Sequence, residues 1–281
     1  MEHKEGSFPG IDGLELYWQS WRGEKAPRAV LAIVHGFGEH SGRYPKVVSH
    51  FVSEGYAVYG FDHRGHGRSP GKRGHIDSWD EYGGDVKKFL RLIFSQEPSR
   101  QVFLWGHSMG ALIALDYLLR DPGDLRGAII SGAPLAPVGA GTPFLALIAR
   151  AFSKVWPRFS LNLGLNTKAI SRDLEVTKAY KTDPLVHGKA TVRWGAEILR
   201  AIEWVKAHAA EVRIPVMVIH GGADPIVSAA GSREFFAKIA FADKELKIYP
   251  GSYHEVHNDL DHGQVLNDVA QWLERHIQKR N

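Results

Sequence analysis

Apolar positions along this chain gather into short unbroken runs, separated by longer stretches in which apolar and polar residues mix. Runs of strand length cover residues 29–34, 57–61, 101–105 and 216–220, and residues 125–131 and 245–249, interrupted by Arg126 and by Lys247, complete the set of strands. A run apolar at every position, as in Ala29-Val30-Leu31-Ala32-Ile33-Val34, fits a parallel strand covered on both faces. Residues 14–21 alternate instead and predict an edge hairpin strand. The stretches between have helical spacing: 45–54, then 78–97 with Trp79, Val86, Phe89, Leu90 and Ile93 on one face, then 111–120. Strands alternating with helices predict an α/β fold, a mostly parallel sheet with helices on both sides.

One segment breaks this rhythm. From 136 to 211 no strand is evident, and the apolar residues sit in Phe144-Leu145-Ala146-Leu147-Ile148-Ala149, in Phe152, Val155 and Trp156, and in a helical stretch with Trp194, Ile198, Leu199, Ile202 and Trp204. Lying between two strands, 136–211 reads as a mainly helical cap on a core made of 1–135 and 212–281. Some of its apolar residues are expected to pack on the core and others to form an apolar tunnel near the strand ends, where such sheets bind ligands.

Composition narrows the chemistry. The 281 residues have near-average apolar and charged content, enough for a sizeable core. The absence of cysteine rules out disulfides, thiolate metal sites and a cysteine nucleophile. The net charge is +4, without a dense Lys/Arg run interleaved with aromatics, so nucleic acid is not an expected partner. The first residues lack an apolar signal-peptide core, and no apolar stretch is long enough to span a bilayer. The expectation is a cytoplasmic protein. Peripheral contact with a membrane or micelle is expected through the cap face around 144–156, helped by Arg150, Lys154 and Arg158.

The chemistry is carried by Gly106-His107-Ser108-Met109-Gly110, a G-x-S-x-G pattern between an apolar strand and a helix. That context describes a nucleophile elbow, in which a tight strand-to-helix turn presents a serine above the sheet. A serine hydroxyl needs a base, and the base needs an orienting group. In α/β-hydrolases these follow in the order Ser, Asp or Glu, His. Asp224 lies in the loop after strand 216–220, where a turn aspartate before proline is the plainer alternative. His254 and His257 lie in the loop after 245–249, and His254 is preferred as nearer the strand end. The oxyanion hole is expected from the backbone N–H groups of Met109 and of Phe37, in the glycine-rich turn His35-Gly36-Phe37-Gly38. This chemistry calls for no metal or cofactor.

These stretches resemble the monoacylglycerol lipase and lysophospholipase family of α/β-hydrolases. The likeness rests on His35-Gly36-Phe37-Gly38-Glu39-His40-Ser41-Gly42-Arg43-Tyr44, on Asp62-His63-Arg64-Gly65-His66-Gly67-Arg68-Ser69, on the elbow with its His107 and Met109, and on cap and C-terminal stretches. It implies an α/β-hydrolase fold with an inserted lid, Ser108 as nucleophile, Asp224 as orienter and His254 as base. It further implies that Glu39, Arg43 and His257 approach the glycerol end of a monoacylglycerol, with Tyr180 lining the site from the cap. A simple Glu39–Arg43 ion pair is the alternative for those two. A broad carboxylesterase or lysophospholipase with the same triad, acyl transfer to an alcohol, and a catalytically silent fold that binds lipid or a partner remain as other readings.

Overall fold

The computed structural model describes residues 1–98, 100–138, 152–164 and 166–278. Eight strands form the main sheet: β1 (Glu2–Pro9), β2 (Glu15–Arg22), β3 (Val30–Val34), β4 (Ala57–Phe61), β5 (Val102–His107), β6 (Leu125–Ser131), β9 (Val216–Gly221) and β10 (Lys244–Tyr249). Their spatial order is β1-β2-β4-β3-β5-β6-β9-β10. From β4 to β10 all neighbours run parallel, and the hairpin β1–β2 is joined antiparallel at one end. This is the α/β-hydrolase architecture expected from the sequence.

The unbroken apolar runs have the expected physical reason. Every residue of β3, β4 and β5 is buried, and successive side chains enter different cores. Val30, Ala32, Val34, Leu104 and Ile130 face helices α2 (Asp80–Gln96) and α3 (Met109–Arg120). Leu31, Ile33, Phe103, Trp105 and Ile129 face α1 (Pro45–Ser53) and α7 (His262–Gln278), which contribute Phe51 and Trp272. α6 (Ala229–Lys238) packs beside β9 and β10.

Two expectations need correction. The strand read at 14–21 is not the edge, because β1 pairs along its whole length with β2 and takes that place. β1 carries no apolar alternation, and only Phe8 in it is buried, so pairing rather than burial makes it a strand. Between β6 and β9, where no strand was expected, Ser160–Asn162 (β7) pairs antiparallel with Lys189–Thr191 (β8). Three residues a side are too few to print a periodicity. The same stretch also holds α4 (Leu174–Thr182) and α5 (Val192–Ala207). Trp194, Ala201 and Val205 of α5 join the core on the α3 side. The apolar run 144–149 and Arg150 lie outside the described residues.

Register brings the chemistry to one edge. Gly106 pairs with Val34 and Ile130, His107 with Ser131, and Gly221 with Tyr249. The loops carrying Ser108, Asp224 and His254 therefore all leave the C-terminal ends of parallel strands, β5, β9 and β10, on one edge of the sheet, where α/β sheets place their ligands.

Candidate active site

Ser108 sits between β5 and α3 at φ 52° and ψ −120°, the one described non-glycine residue with positive φ. Such a backbone costs on the order of 1–3 kcal/mol and persists only where its surroundings enforce it. Two glycines allow the turn. A Cβ on Gly106 would lie 2.4 Å from the Gly110 carbonyl oxygen, and one on Gly110 would lie 2.0 Å from that of Val34. Ser108 N–H donates to Ser131 O at 2.8 Å, and Ala111 N–H returns to Ser108 O at 2.9 Å, locking the corner.

The structure brings Ser108, His254 and Asp224 together. The Ser108 hydroxyl donates to His254 Nε2 at 2.9 Å, and His254 Nδ1–H donates to Asp224 Oδ2 at 2.7 Å. That second bond selects the tautomer that leaves Nε2 free to accept. Asp224 Oδ1 accepts the backbone N–H groups of Ile226 and Val227, and Oδ2 lies 3.2 Å from His220 Nε2. Burial alone would raise the Asp224 pKa, but hydrogen bonds from His220 and His254 hold it well below the usual carboxylate range. At His254 burial pulls the pKa down, and the Asp224 hydrogen bond and charge more than offset this, so the ring ends above the ordinary histidine value. The sequence reading missed His220. Its place at the end of β9, four residues before Asp224, was the available signal.

A cavity opens over Ser108. Phe37, Ile170, Tyr180 and Ile226 give it apolar walls, and Glu39, His107 and Glu255 add polar groups. Met109 opens α3, where a first-turn N–H has no acceptor within the helix. Phe37 follows Gly36, whose backbone passes so close that a Cβ there would lie 3.2 Å from Ser108 Cβ.

Glu39, Arg43 and His257 are placed differently from one another. Glu39 reaches the cavity wall but is 3% exposed and bound on both oxygens. Arg43 lies behind it. Its guanidinium bonds Glu39 once and Glu255 twice, at 2.7 and 3.0 Å, and sits 4.4 Å from the Tyr180 ring centre. The paired carboxylates hold Arg43 charged in spite of its burial. His257 is fully buried and is not among the residues lining the cavity. It stacks on Tyr44 with centroids 4.9 Å apart, and neither ring nitrogen has a partner among the described residues. Burial pushes its pKa down to about 4, so it is a neutral packing ring at neutral pH. Tyr180, from α4, lines the cavity.

The comparisons with known proteins agree with this architecture. The family model described as "Serine aminopeptidase, S33" matches residues 25–261. The monoacylglycerol lipase of Mycolicibacterium smegmatis is 36% identical over 97% of this chain and 98% of its own length. The crystal structure of the Paleococcus ferrophilus monoacylglycerol lipase superposes with a TM-score of 0.84 at 33% identity, covering 94% of this chain and all of that one. A soluble variant of the Saccharomyces cerevisiae monoglyceride lipase, in complex with a substrate analog, gives 0.87 at 27% identity, covering 96% and 94%. The chain belongs to the monoacylglycerol lipase family of α/β-hydrolases. It is a carboxylic ester hydrolase.

Proposed function

We propose that the chain hydrolyses monoacylglycerols to fatty acid and glycerol through an acyl-enzyme on Ser108. The observation that carries this reading is the unbroken chain of hydrogen bonds from Ser108 Oγ through His254 to Asp224. Ser108 Oγ attacks the ester carbonyl as its proton passes to His254 Nε2. The oxyanion is held by the N–H groups of Phe37 and Met109, donors worth about 10²–10³ in rate each. His254⁺ protonates the departing glycerol oxygen. Water, deprotonated by the same ring, then attacks the acyl carbon and releases the acid and Ser108. Asp224 stays ionised throughout and holds the imidazolium.

The names of the relatives and the mixed cavity support a glyceride: apolar walls for the acyl group, polar groups for a small polyol. In this reading 136–211 is a cap over a core of 1–135 and 212–281, contributing Ile170 and Tyr180 to the cavity. The cap also meets the lipid phase. Phe152, Val155, Trp156, Phe159, Leu161 and Leu163 are exposed, with exposed Lys154 and Arg158 beside them. Three of the aromatic rings cluster within 6.3 Å of one another. No helix among the described residues is long and apolar enough to cross a membrane, so such contact is peripheral.

The test is hydrolysis of monoacylglycerols, lysophosphatidylcholines and aryl esters of matched acyl chains by wild type and Ser108→Ala. We expect glycerides to be cleaved with a chain-length optimum, and the variant to lose about 10⁴-fold or more. Cleavage of aryl esters but not glycerides would move the enzyme to the general carboxylesterases. A preference for the phosphocholine series would make it a lysophospholipase.

A further inference from the structure

We infer that Glu39 is a positioning residue for the oxyanion hole, acting through the backbone of Gly36, and not a contact for the leaving alcohol. The inference rests on the reading of Phe37 N–H as an oxyanion donor.

Both polar atoms of the Gly36 backbone are held by side chains. Gly36 N–H donates to Glu39 Oε1 at 2.6 Å. Gly36 O accepts from His35 Nδ1–H at 2.7 Å, the tautomer being set by His35 Nε2, which accepts the His63 N–H at 3.0 Å. The Gly36–Phe37 peptide is trans, so its N–H points away from its carbonyl. With the carbonyl turned to His35, the Phe37 N–H is aimed the opposite way. Glu39 holds the preceding peptide and stops Gly36 from swivelling about that anchor.

The carboxylate is itself fixed from behind. Tyr44 O–H donates to the same Oε1 at 2.9 Å, and Arg43 Nη1 donates to Oε2 at 2.9 Å. Tyr44 is fully buried and stacked flat on His257, with an interplanar angle of 2°. Oε1 therefore has its two donors already, and its reach is set by a packed ring. A group meant to bind a glycerol hydroxyl would keep that oxygen free. A clamp on a loop would use it as Glu39 does. A misplacement of about 1 Å at a reacting centre can cost about 10²-fold, so a clamp two residues from the donor is of kinetic consequence.

Reach and charge separate cleanly. Glu39→Asp keeps the charge but withdraws the acceptor by one methylene. Glu39→Gln keeps the reach and loses the charge. The assay is kcat and KM on a monoacylglycerol and on a p-nitrophenyl ester of the same acyl chain, per titrated active site and on the plateau above the acid limb. Affinity for phenylboronic acid, which forms a tetrahedral adduct on the serine, is measured alongside. We expect Asp to lower kcat about 10–100-fold on both esters with KM little changed, and to weaken the boronate in parallel. Gln keeps the Oε1 acceptor and turns its NH2 toward Arg43, which stays paired with Glu255, so it should lose less than Asp and less than about tenfold on all three. A loss confined to the glyceride and seen in KM would assign Glu39 to the alcohol and overturn the inference. Gln falling below Asp on both esters would make the charge decisive, and unchanged activity in both variants would remove the clamp; either overturns it. If the Asp variant does not fold, the Gln variant decides: more than tenfold loss of kcat on the aryl ester overturns the inference, and retention supports it. Should wild type prove inactive on glycerides, the proposed substrate fails while the aryl-ester and boronate arms still judge Glu39.

Discussion

Around Ser108 nearly every polar atom has a partner; around Trp156 the surface is apolar and open. Asp224 receives two backbone N–H groups and lies against two histidines, Glu39 is bound on both oxygens, and Arg43 spans two carboxylates. Trp156 is 61% exposed and Val155 81% exposed. The first region tolerates no movement, because each unmade bond in a buried polar network costs about 1–3 kcal/mol. The second has little to lose by moving. On the proposed function, chemistry falls to the part that is over-determined and access to the part that is not.

The sharpest way to break the ordered side is Asp224→Asn. We expect kcat to fall about 10⁴-fold with little change in KM, through loss of the tautomer that leaves His254 Nε2 able to accept. In wild type the acid limb of kcat/KM should lie above pH 6.5, because Asp224 raises the His254 pKa. Whatever activity remains in Asp224→Asn should have its limb moved lower. A limb that stays put would mean another group sets it.

The ordered side should also be the first to fail in acid. Burial keeps His35 and His257 down to about 4, and lowers His63, His66 and His107 well below the ordinary value. In the unfolded chain these rings take up protons below about pH 6.5. The folded chain then binds fewer protons, so stability falls as pH drops from 6.5 toward 4, by roughly 1.4 kcal/mol per pH unit for each ring. His254 acts in the opposite direction, since its raised pKa favours the folded state below 6.5, but it is one ring against five. Thermal melts between pH 7.5 and 4.5 should show Tm dropping steeply below about pH 6.5. A flat profile would mean the buried rings are not held neutral.

The smallest effect is expected on the open side. Trp156→Ser with Phe159→Ser should leave turnover of a soluble short-chain aryl ester within about twofold. The same pair should cut partition onto vesicles containing anionic lipid several-fold, read by flotation. Equal partition of both proteins would assign membrane contact elsewhere.

What could be read in advance follows the same division. The strands of the sheet were legible because parallel strands buried on both faces are apolar at every position, as in 29–34. The loops carrying Ser108 and Asp224 were legible because each follows such a strand; His254 follows β10, which mixes Glu245 and Lys247 with Leu246 and Ile248, and was legible from its place last in hydrolase order. Glu39 and His257 were harder. Both were singled out, yet whether a side chain faces a cavity or packs behind it is set by the fold: Glu39 is held by its near neighbours Gly36, Arg43 and Tyr44, and His257 packs on Tyr44 and Trp105, distant in sequence. β1 was illegible because its residues are exposed and polar, and β7 with β8 because they are too short. Glu255 went unremarked beside His254, although its carboxylate holds Arg43 and lines the cavity.

β1 carries a consequence of its own. As the outermost strand it turns one row of backbone N–H and C=O groups away from the sheet, a template on which a second chain could build. The residues along it are Glu2, His3, Lys4, Glu5, Gly6 and Ser7, with Lys4 and Arg22 bonded to Glu2 and Arg68 bonded to Glu5. An approaching strand would have to strip water from these charges before gaining a single backbone bond. The strand that prints no pattern in the sequence is in this sense a guard rail: its polarity keeps a broad, otherwise sticky sheet from growing past its own margin.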